Sequence, residues 1–259
     1  MMGMSQSIDS GGAEALRNAG GKSPREVREM FSRVARRYDF LNHLLSLGLD
    51  IGWRKAAARE LAQLGAGDAV ADLCTGTGDL ALAIVRAAPK ARVLALDFTP
   101  EMVAYGPKKA ARAKLAGVTF GIGDTLHLPL KDGACAAATV AFGIRNVAGL
   151  DAGLSEMARV VRPGGKVLVL EFTKPPGRVF GPLYMFYLKN VLPIVAVCIA
   201  WVAGDAYRYL PKSIQAFAGP QEMSERLSAA GLQDIRALPL TFGTVHLYVG
   251  IKQAGQSRG

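Results

Sequence analysis

The chain has few of the residues that build metal centres and disulfide frameworks. It contains three cysteines and three histidines in 259 residues. They are scattered along the chain: His43, Cys74, His127, Cys135, Cys198 and His246. No spacing among them fits a metal site, and each cysteine lies in an apolar stretch. We therefore expect no bound metal and small core cysteines in a reducing cytoplasm.

Acidic residues are also under-represented. There are 21 of them against 31 lysines and arginines, which gives a net charge of +10 and an isoelectric point near 9.7. Three partner classes fit this balance: a nucleic acid, an anionic membrane surface or an acidic substrate. Basic residues interleaved with aromatic ones, which would form a stacking platform for RNA, are missing. The cluster formed by Lys108, Lys109, Arg112 and Lys114 is interpreted as a solvated helix face, so we expect no nucleic-acid partner.

Long apolar runs are scarce as well. Met1–Gly21 is rich in Gly and Ser and lacks the apolar core of a signal peptide, so it is predicted to be a disordered tail. Val191–Ala203 is apolar except for Pro193, but it is shorter than the span of about 20 residues that crosses a bilayer. It is expected to be either a buried helix or the lining of a channel for a greasy substrate that touches the membrane.

Between these segments, strands and helices alternate, which predicts a parallel sheet covered on both faces. The predicted strands are Ala69–Cys74, Ala91–Leu96, Val118–Ile122, Ala134–Phe142, Lys166–Glu171, Leu232–Leu240 and Val245–Ile251. The predicted helices are Pro24–Tyr38, Asn42–Leu49, Trp53–Leu64, Leu80–Ala88, Pro100–Leu115, Leu150–Val161 and Pro220–Ala230. The link Thr241–Thr244 is too short for a crossover, so the last two strands are expected to pair antiparallel.

The fold is organised around Ala69–Ala88, which reads as a strand, a tight glycine turn and a helix. Gly76 and Gly78 have no Cβ, so the backbone can turn sharply and a ligand can lie against it. The following helix points its unpaired amide groups at the same place. The stretch is therefore predicted to bind a ligand.

Three acidic residues accompany this turn: Asp72 in the first strand, Asp97 at the end of the second and Asp124 after the third. Asp97 is placed to take a ribose diol, which fits both NAD and S-adenosylmethionine. An antiparallel hairpin ends the predicted sheet, Asp124 can accept from an adenine amino group, and there is no second phosphate-binding turn. These features favour the methyl donor.

With these residues in place, the chain resembles the class I methyltransferases, and within them the ubiquinone/menaquinone C-methyltransferases of the UbiE family. The N-terminal signature is matched by Tyr38-Asp39-Phe40-Leu41-Asn42, Ser46, Gly48 and Trp53. The loop after the fourth strand is matched by Phe142-Gly143-Ile144-Arg145-Asn146-Val147. The second signature is matched by Glu156-Met157, Arg159–Gly165, Leu170-Glu171-Phe172, Tyr207, Tyr209-Leu210-Pro211, Ser213-Ile214 and Phe217.

The resemblance implies a Rossmann-like α/β sheet with a terminal antiparallel hairpin, and S-adenosylmethionine as co-substrate. The expected donor-binding residues are Asp72, Gly76, Thr77, Gly78, Asp97, Phe98, Asp124, Thr125 and Ala141. The chain departs from the family pattern at four positions, where Asp50 stands for His, Ala141 for Ser, Lys212 for Glu and Tyr248 for His. These departures bear on the substrate more than on the donor.

The resemblance also implies a substrate, a polyprenylated quinol methylated on a ring carbon, with benzoquinol and naphthoquinol both open. Ring-carbon attack needs a phenolate, because a neutral ring carbon is a poor nucleophile. Arg145 is expected to stabilise that phenolate directly or through water, Asn146 to bond a ring oxygen and Tyr38 to close the site. Without the resemblance, Arg145 would be interpreted as a surface salt bridge and Tyr38 as a core aromatic.

Alternatives remain: an O- or N-methyltransferase for another small molecule, an RNA-directed methyltransferase, or a non-catalytic partner in a quinone-pathway assembly. The protein is expected in the cytoplasm, in peripheral contact with the inner face of the membrane, as a homodimer or in such an assembly. The predicted organisation is a tail (1–22), a helical cap (23–68), a donor-binding core (69–174), an apolar insertion (175–219), a C-terminal helix and hairpin (220–252) and a tail (253–259).

Overall fold

The computed structural model describes residues 23–35, 38–175, 177, 180–187, 190 and 204–253. The helices are α1 (Pro24–Val34), α2 (Tyr38–Leu45), α3 (Leu49–Arg59), α4 (Asp79–Ala87), α5 (Pro100–Val103), α6 (Gly106–Arg112), α7 (Leu150–Val160), α8 (Phe180–Phe186), α9 (Gly204–Ala216) and α10 (Pro220–Ala229). The strands are β1 (Ala69–Leu73), β2 (Arg92–Asp97), β3 (Val118–Ile122), β4 (Cys135–Ala141), β5 (Val161–Phe172), β6 (Leu232–Leu240) and β7 (Val245–Lys252). The predicted tail 1–22, the predicted tail 253–259 apart from Gln253, and the apolar stretch 191–203 lie outside the described residues.

The strands form one sheet in the order β3-β2-β1-β4-β5-β7-β6. The pairs from β3 to β5 are parallel, whereas β7 is antiparallel to both of its neighbours. The α/β class I fold with a terminal antiparallel hairpin is confirmed. The strand order reverses between β1 and β4, and ligands bind at such a switch point, beyond the carboxyl ends of the strands.

Helices cover both faces of the sheet. On one face, α7 and α10 bury Leu154, Met157 and Leu227 against β4 and β5. On the other face, α3 and α4 bury Trp53 and Ile84. Each such side chain, fully withdrawn from water, stabilises the fold by about 1.5–3 kcal/mol. Strand β4 is buried from Cys135 to Val140, which confirms it as a central strand.

The N-terminal cap differs from the predicted helices. Helix α1 begins at a capping box, in which Ser23 and Glu26 bond each other's backbone amides, and it ends at Val34 rather than at Tyr38. Helix α3 begins at Leu49, directly after Gly48 at a φ of +76°, and not at Trp53. A glycine in the left-handed region allows the chain to turn sharply and start a new helix there.

The predicted helix Pro100–Leu115 is wrong as one element, because it consists of α5 and α6. The second helix begins at Gly106 with Pro107 in its first turn, a position where the missing amide of proline costs nothing. Gly106 is needed there, since a Cβ atom would lie 2.2 Å from the ring of Phe120 on β3. Strand β5 begins at Val161, directly after α7, and runs through Pro163-Gly164-Gly165.

Candidate functional site

The glycine turn after β1 places two glycines in different surroundings. Gly76 and Gly78 both have positive φ, at +57° and +90°. Gly76 lines a cavity, and a Cβ there would meet only Met102 and Tyr38, at 3.5 and 3.8 Å. Gly78 lies behind the turn, where a Cβ would come within 2.5 Å of the Phe120 ring. Gly76 thus opens the backbone to a ligand, whereas Gly78 lets the turn pack against β3.

The cavity has a volume of about 270 Å³ and lies at the carboxyl edge of the sheet. Eight of the predicted site residues line it: Tyr38, Gly76, Asp97, Phe98, Asp124, Thr125, Ala141 and Asn146. Other lining residues include Phe31, Cys74, Met102, Leu126, Phe142 and Val147. The cavity therefore joins the end of β2, the loops after β3 and β4 and the first helices of the cap. Cys135 is buried in the core as expected, whereas Cys74 is only partly buried at the cavity wall.

Asp97 is fixed by backbone amides at the end of β2. One carboxylate oxygen accepts from the Gly76 amide at 2.8 Å, and the other accepts from the Thr99 amide at 2.9 Å. Burial raises the pKa of Asp97, and these amide hydrogen bonds oppose the rise. Asp97 lines the cavity, where its carboxylate can accept a hydrogen bond from a hydroxyl group such as those of a ribose.

Asp124 and Thr125 follow β3 on the opposite side of the cavity. Asp124 accepts from the Leu126 amide at 2.9 Å, and its side chain is 58% exposed. Thr125 is buried, and its hydroxyl lies 3.3 Å from the sulfur of Cys74. An exposed carboxylate at the cavity mouth is free to accept from an exocyclic amino group, which is what an adenine presents.

Asp72, another expected donor-binding residue, lies beneath the turn and not at the cavity. Its side chain is fully buried and accepts from Thr75 at 2.6 Å and from Thr139 at 2.7 Å. Burial raises its pKa to about 6. Asp72 thus holds the glycine turn onto β4. It can affect a bound ligand only by positioning the turn, and not by contacting the ligand.

Thr77 links the turn to the cap instead of lining the cavity. Its hydroxyl donates to Asp39 on α2, and the ammonium group of Lys109 lies 2.6 Å from the other Asp39 oxygen. Lys109 also contacts Thr77 at 3.1 Å and pairs with Asp79. The prediction of a solvated helix face is therefore wrong for Lys109, which joins α6, α4 and α2 in one ionic network.

Tyr38 is half-buried in the cavity wall and stacks edge-on against Phe31, with ring centroids 5.9 Å apart. Burial raises the pKa of its hydroxyl, and a hydrogen bond with Asn42, followed by the positive charge of Arg145, partly opposes that rise. The hydroxyl is therefore protonated at neutral pH. Tyr38 can donate a hydrogen bond into the cavity from the cap side.

Arg145 is a buried residue behind the cavity wall, in a salt bridge that is not on the surface. Its guanidinium donates to the Phe142 carbonyl and to Glu171, each at 2.6 Å, and lies 5.6 Å from the Phe172 ring centroid. Arg145 is 5% exposed and Glu171 is fully buried. Arg145 does not line the cavity, so direct contact between its guanidinium and a ligand there does not fit this arrangement.

The described residues hold no cluster of three or more His, Cys, Asp or Glu side chains that could bind a metal ion. Asp50, which departs from the family pattern, accepts from Ser46 at 2.7 Å, contacts His43 at 2.8 Å and pairs with Arg54 inside the cap. It is 3% exposed. This position therefore holds α2 and α3 together and does not face the cavity.

Two side chains that hold the predicted catalytic residues Arg145 and Asn146 were not predicted as part of the site. Glu171 pairs with Arg145, and Tyr209 on α9 donates to the Asn146 side chain at 2.6 Å. Both occur in the motifs that carry the family resemblance, but a motif does not say which residue meets which. Phe31 also lines the cavity, and its signal in the sequence is the helical spacing of Val27, Met30, Phe31 and Val34, which marks the apolar face of α1.

Comparison with known proteins gives one consistent result. The ubiE/COQ5 methyltransferase family matches residues 19–252. A demethylmenaquinone methyltransferase of Thermus thermophilus is 46% identical over 221 residues, which cover 85% of this chain and 99% of that protein. A ubiquinone/menaquinone biosynthesis C-methyltransferase UbiE of a Geobacter species is 41% identical over 228 residues, 87% of this chain and 96% of that protein.

Among solved structures, a SAM-dependent methyltransferase from Aquifex aeolicus superposes with a TM-score of 0.57 at 18% identity. The superposition covers 82% of this chain and 95% of the other. At that identity the likeness concerns the fold alone. It supports the class I sheet described above.

Proposed function

Since the chain belongs to the ubiE/COQ5 methyltransferase family, we propose which ring it methylates and which of its residues carry the reaction. The protein is a methyltransferase that uses S-adenosylmethionine as its co-substrate. Its substrate is a polyprenylated quinol of the menaquinone or ubiquinone pathway, either demethylmenaquinol or 2-polyprenyl-6-methoxy-1,4-benzoquinol. The methyl group is transferred to a ring carbon.

One observation carries this proposal: a single cavity joins the donor-binding residues to two hydrogen-bonding side chains. Gly76 and Asp97 line one part of it, and Tyr38 and Asn146 line another. Methyl transfer needs the acceptor carbon in line with the methyl group at near-contact distance, which a shared cavity provides.

The donor site fits S-adenosylmethionine on its own geometry. When bound, the compound supplies an electrophilic methyl group on a sulfonium. Asp97, held by two amides, accepts from the ribose, and the open side of Gly76 allows the backbone to approach the ligand. Asp124 accepts from the adenine amino group, while Phe98 and Leu126 supply apolar contact. Thr77 and Asp72 hold the turn in place from the cap and from β4.

The quinol site activates a poor nucleophile. Removal of the phenolic proton, whose pKa is about 10 in a tyrosine-like phenol, raises the electron density on the ortho carbon. Asn146 and Tyr38 offer hydrogen bonds to the ring oxygens, and the buried Arg145 lowers the energy of the phenolate through its charge. The guanidinium cannot act as the base, because it stays protonated at any working pH.

Arg145 is tested with its buried partner taken into account. Arg145→Met alone strands the Glu171 carboxylate, a change that costs about 3–5 kcal/mol, so the variant to measure is Arg145→Met with Glu171→Gln. We expect this pair to fold and to lose turnover, while Arg162→Met, which removes a half-exposed ion pair with Asp68, keeps it. Unchanged turnover in the folded double variant rules out the phenolate-stabilising role.

The substrate's long tail suggests contact with a lipid surface, which we propose to be the inner face of the cytoplasmic membrane. Within the described residues no helix is long and apolar enough to cross a bilayer. Leu47 and Phe242 are 82% and 80% exposed on two loops, and Trp53 bonds Thr241, the neighbour of Phe242, at 2.8 Å. The net charge of +10 favours an anionic leaflet.

This contact is measured by flotation with anionic and uncharged vesicles. We expect the protein to float with the anionic vesicles, and Leu47→Glu with Phe242→Glu to weaken that binding. Wild-type protein that floats with neither vesicle contradicts the proposal. A homodimer or a quinone-biosynthesis assembly stays a prediction, which light scattering on the pure protein addresses.

The deciding experiment for the reaction is incubation of the pure protein with methyl-labelled S-adenosylmethionine and each demethylated quinol. Label is expected on a ring carbon of one quinol or both, and mass spectrometry distinguishes ring methylation from O-methylation. Label found only on oxygen, or only on an unrelated small molecule, would contradict this proposal and favour an O- or N-methyltransferase that acts on another small molecule. A folded protein that binds the donor but transfers nothing would support a non-catalytic role.

A further inference from the structure

The side-chain amide of Asn146 is held from outside the donor-binding core. Asn146 lies in the 3₁₀ turn Ile144–Asn146 after β4 and lines the cavity. The hydroxyl of Tyr209 on α9 donates to its Oδ1 atom at 2.6 Å, across 63 residues of sequence. Tyr209 is 4% exposed and packs against Val27 and Met30 of α1. Tyr209, which belongs to the apolar insertion (175–219), thus contacts the cavity lining through one short hydrogen bond.

The geometry fixes which end of the amide faces Tyr209. A separation of 2.6 Å is typical of an O–H···O bond and short for an N–H···O bond. Among the described residues, this is the hydroxyl's one hydrogen bond. With the amide reversed, Tyr209 would accept from Nδ2, and its own hydrogen would be buried without an acceptor, which is unfavourable. Burial raises the pKa of Tyr209 to about 12, against the charge of Arg145, so the proton is present at neutral pH.

We propose that Tyr209 is a positioning residue that fixes the Asn146 amide, so that Nδ2 is directed away from Tyr209 and donates to the oxyanion that develops on the substrate ring. The inference rests on the proposed function for the identity of that ring. It makes Asn146 a donor and not an acceptor, so the site favours the deprotonated quinol oxygen. It also means that the apolar insertion (175–219), to which Tyr209 belongs, shapes the site of methyl transfer as well as any route for the polyprenyl tail of the substrate.

The chain offers a matched control for the loss of a buried tyrosine hydroxyl. Tyr248 on β7, one of the positions that depart from the family pattern, is fully buried and does not line the cavity, and its hydroxyl has no hydrogen-bond partner among the described residues. Tyr209→Phe and Tyr248→Phe therefore make the same chemical change, but only the first releases Asn146. We expect Tyr209→Phe to lower kcat by about tenfold with KM for the quinol nearly unchanged, and Tyr248→Phe to leave both nearly unchanged.

Asn146→Asp distinguishes the hydrogen-bond acceptor of the amide, Oδ1, from its donor, Nδ2. The carboxylate still accepts from Tyr209 but no longer donates to the substrate, so kcat is expected to fall by about 100-fold. Once the donor is gone, its orientation has no further effect, and Tyr209→Phe with Asn146→Asp should equal Asn146→Asp within about twofold. Losses that multiply in the double variant overturn the proposal, as does a Tyr209→Phe variant that turns over like Tyr248→Phe.

A readout without quinol keeps this inference separate from the proposed function. In protein labelled with ¹⁵N-asparagine, the Asn146 side-chain signals are identified by their loss in Asn146→Asp. We expect these signals to shift or broaden in Tyr209→Phe and to stay in place in Tyr248→Phe. Signals unmoved by Tyr209→Phe refute the positioning role, even if wild-type protein methylates quinols. Failure of the wild type to methylate either quinol refutes the proposed function and leaves the spectroscopic result standing.

Binding of S-adenosylhomocysteine at wild-type affinity certifies that each variant is folded. If Tyr209→Phe does not fold, Asn146→Asp alone decides, because it keeps the Tyr209 bond. Wild-type turnover by a folded Asn146→Asp then overturns the proposal, and a loss confined to kcat supports it.

Discussion

Replacing Gly78 with alanine tests whether the glycine turn is built as much for packing as for ligand contact. The φ of Gly78 is +90°, and an alanine Cβ would lie 2.5 and 2.9 Å from two atoms of the Phe120 ring. The other side of the ring packs against Gly106, where a Cβ would lie 2.2 Å from it. Phe120 is therefore wedged between two glycines, one on the donor turn and one at the start of α6.

Two costs add in this variant. A left-handed φ costs a residue other than glycine about 1–2 kcal/mol, and overpacking a filled site costs about 1–3 kcal/mol. The expected loss is about 2–5 kcal/mol of the free energy of unfolding, a large part of the roughly 5–15 kcal/mol typical of a domain. Gly164→Ala isolates the first cost, since Gly164 has a φ of +76° and no atom within 4 Å of its would-be Cβ.

The assay is urea unfolding of both variants, with calorimetric titration of S-adenosylhomocysteine. We expect Gly78→Ala to unfold at lower urea than Gly164→Ala and to bind the ligand more weakly, because the turn must shift. Phe120→Leu should relieve the overlap, so it should destabilise the Gly78→Ala protein less than it destabilises wild type. If Gly78→Ala and Gly164→Ala unfold together, or Phe120→Leu costs the same in both backgrounds, the packing argument is refuted.

Three further predictions concern the donor site and its supports. Asp97→Asn replaces a charged acceptor of the ribose hydroxyls by a neutral amide. A hydrogen bond to a charged group contributes about 1.5–3 kcal/mol, so calorimetry should find S-adenosylhomocysteine affinity lowered about 10- to 100-fold, and unchanged affinity contradicts the ribose role. Lys109→Met removes the half-exposed ion pair that ties Asp39 on α2 to the glycine turn, so release of S-adenosylhomocysteine, measured by stopped flow, should accelerate about 3- to 10-fold. Lys108 is exposed, and Lys108→Met is the control, in which the release rate should not change. The folded protein raises the pKa of Asp72 from 3.8 to about 6, so the contribution of Asp72 to stability is fully present below pH 3.8 and is lost as the pH rises through 6. The loss is about 3 kcal/mol, and the difference in unfolding free energy between wild type and Asp72→Asn should change with pH by this amount over that range.

The meeting of Gly76 and Asp97 at one cavity could be predicted because a parallel sheet brings strand ends together. A strand followed by Gly76 and a second strand ending at Asp97 fix two points on one edge, whatever the helices do. Tyr38 and Asn146 also reached the cavity, but they were selected by resemblance to a family, since a lone tyrosine or asparagine carries no such signal. Helix ends were predicted less well, because the break at Gly106 depends on the ring of Phe120, which lies 14 residues further along.

The sequence by itself determined the class I fold, the donor-binding edge and the family, because apolar periodicity, glycine turns and motif spacing are properties of local segments. Only the tertiary structure decided that Arg145 is sealed against Glu171 behind the cavity and that Tyr209 holds Asn146. It also decided that Lys109 is a half-buried link between α6, α4 and α2 and not part of a solvated face. These contacts join residues 26, 63 and 70 positions apart, and such distances are set by how the layers pack, about which a local pattern carries no information.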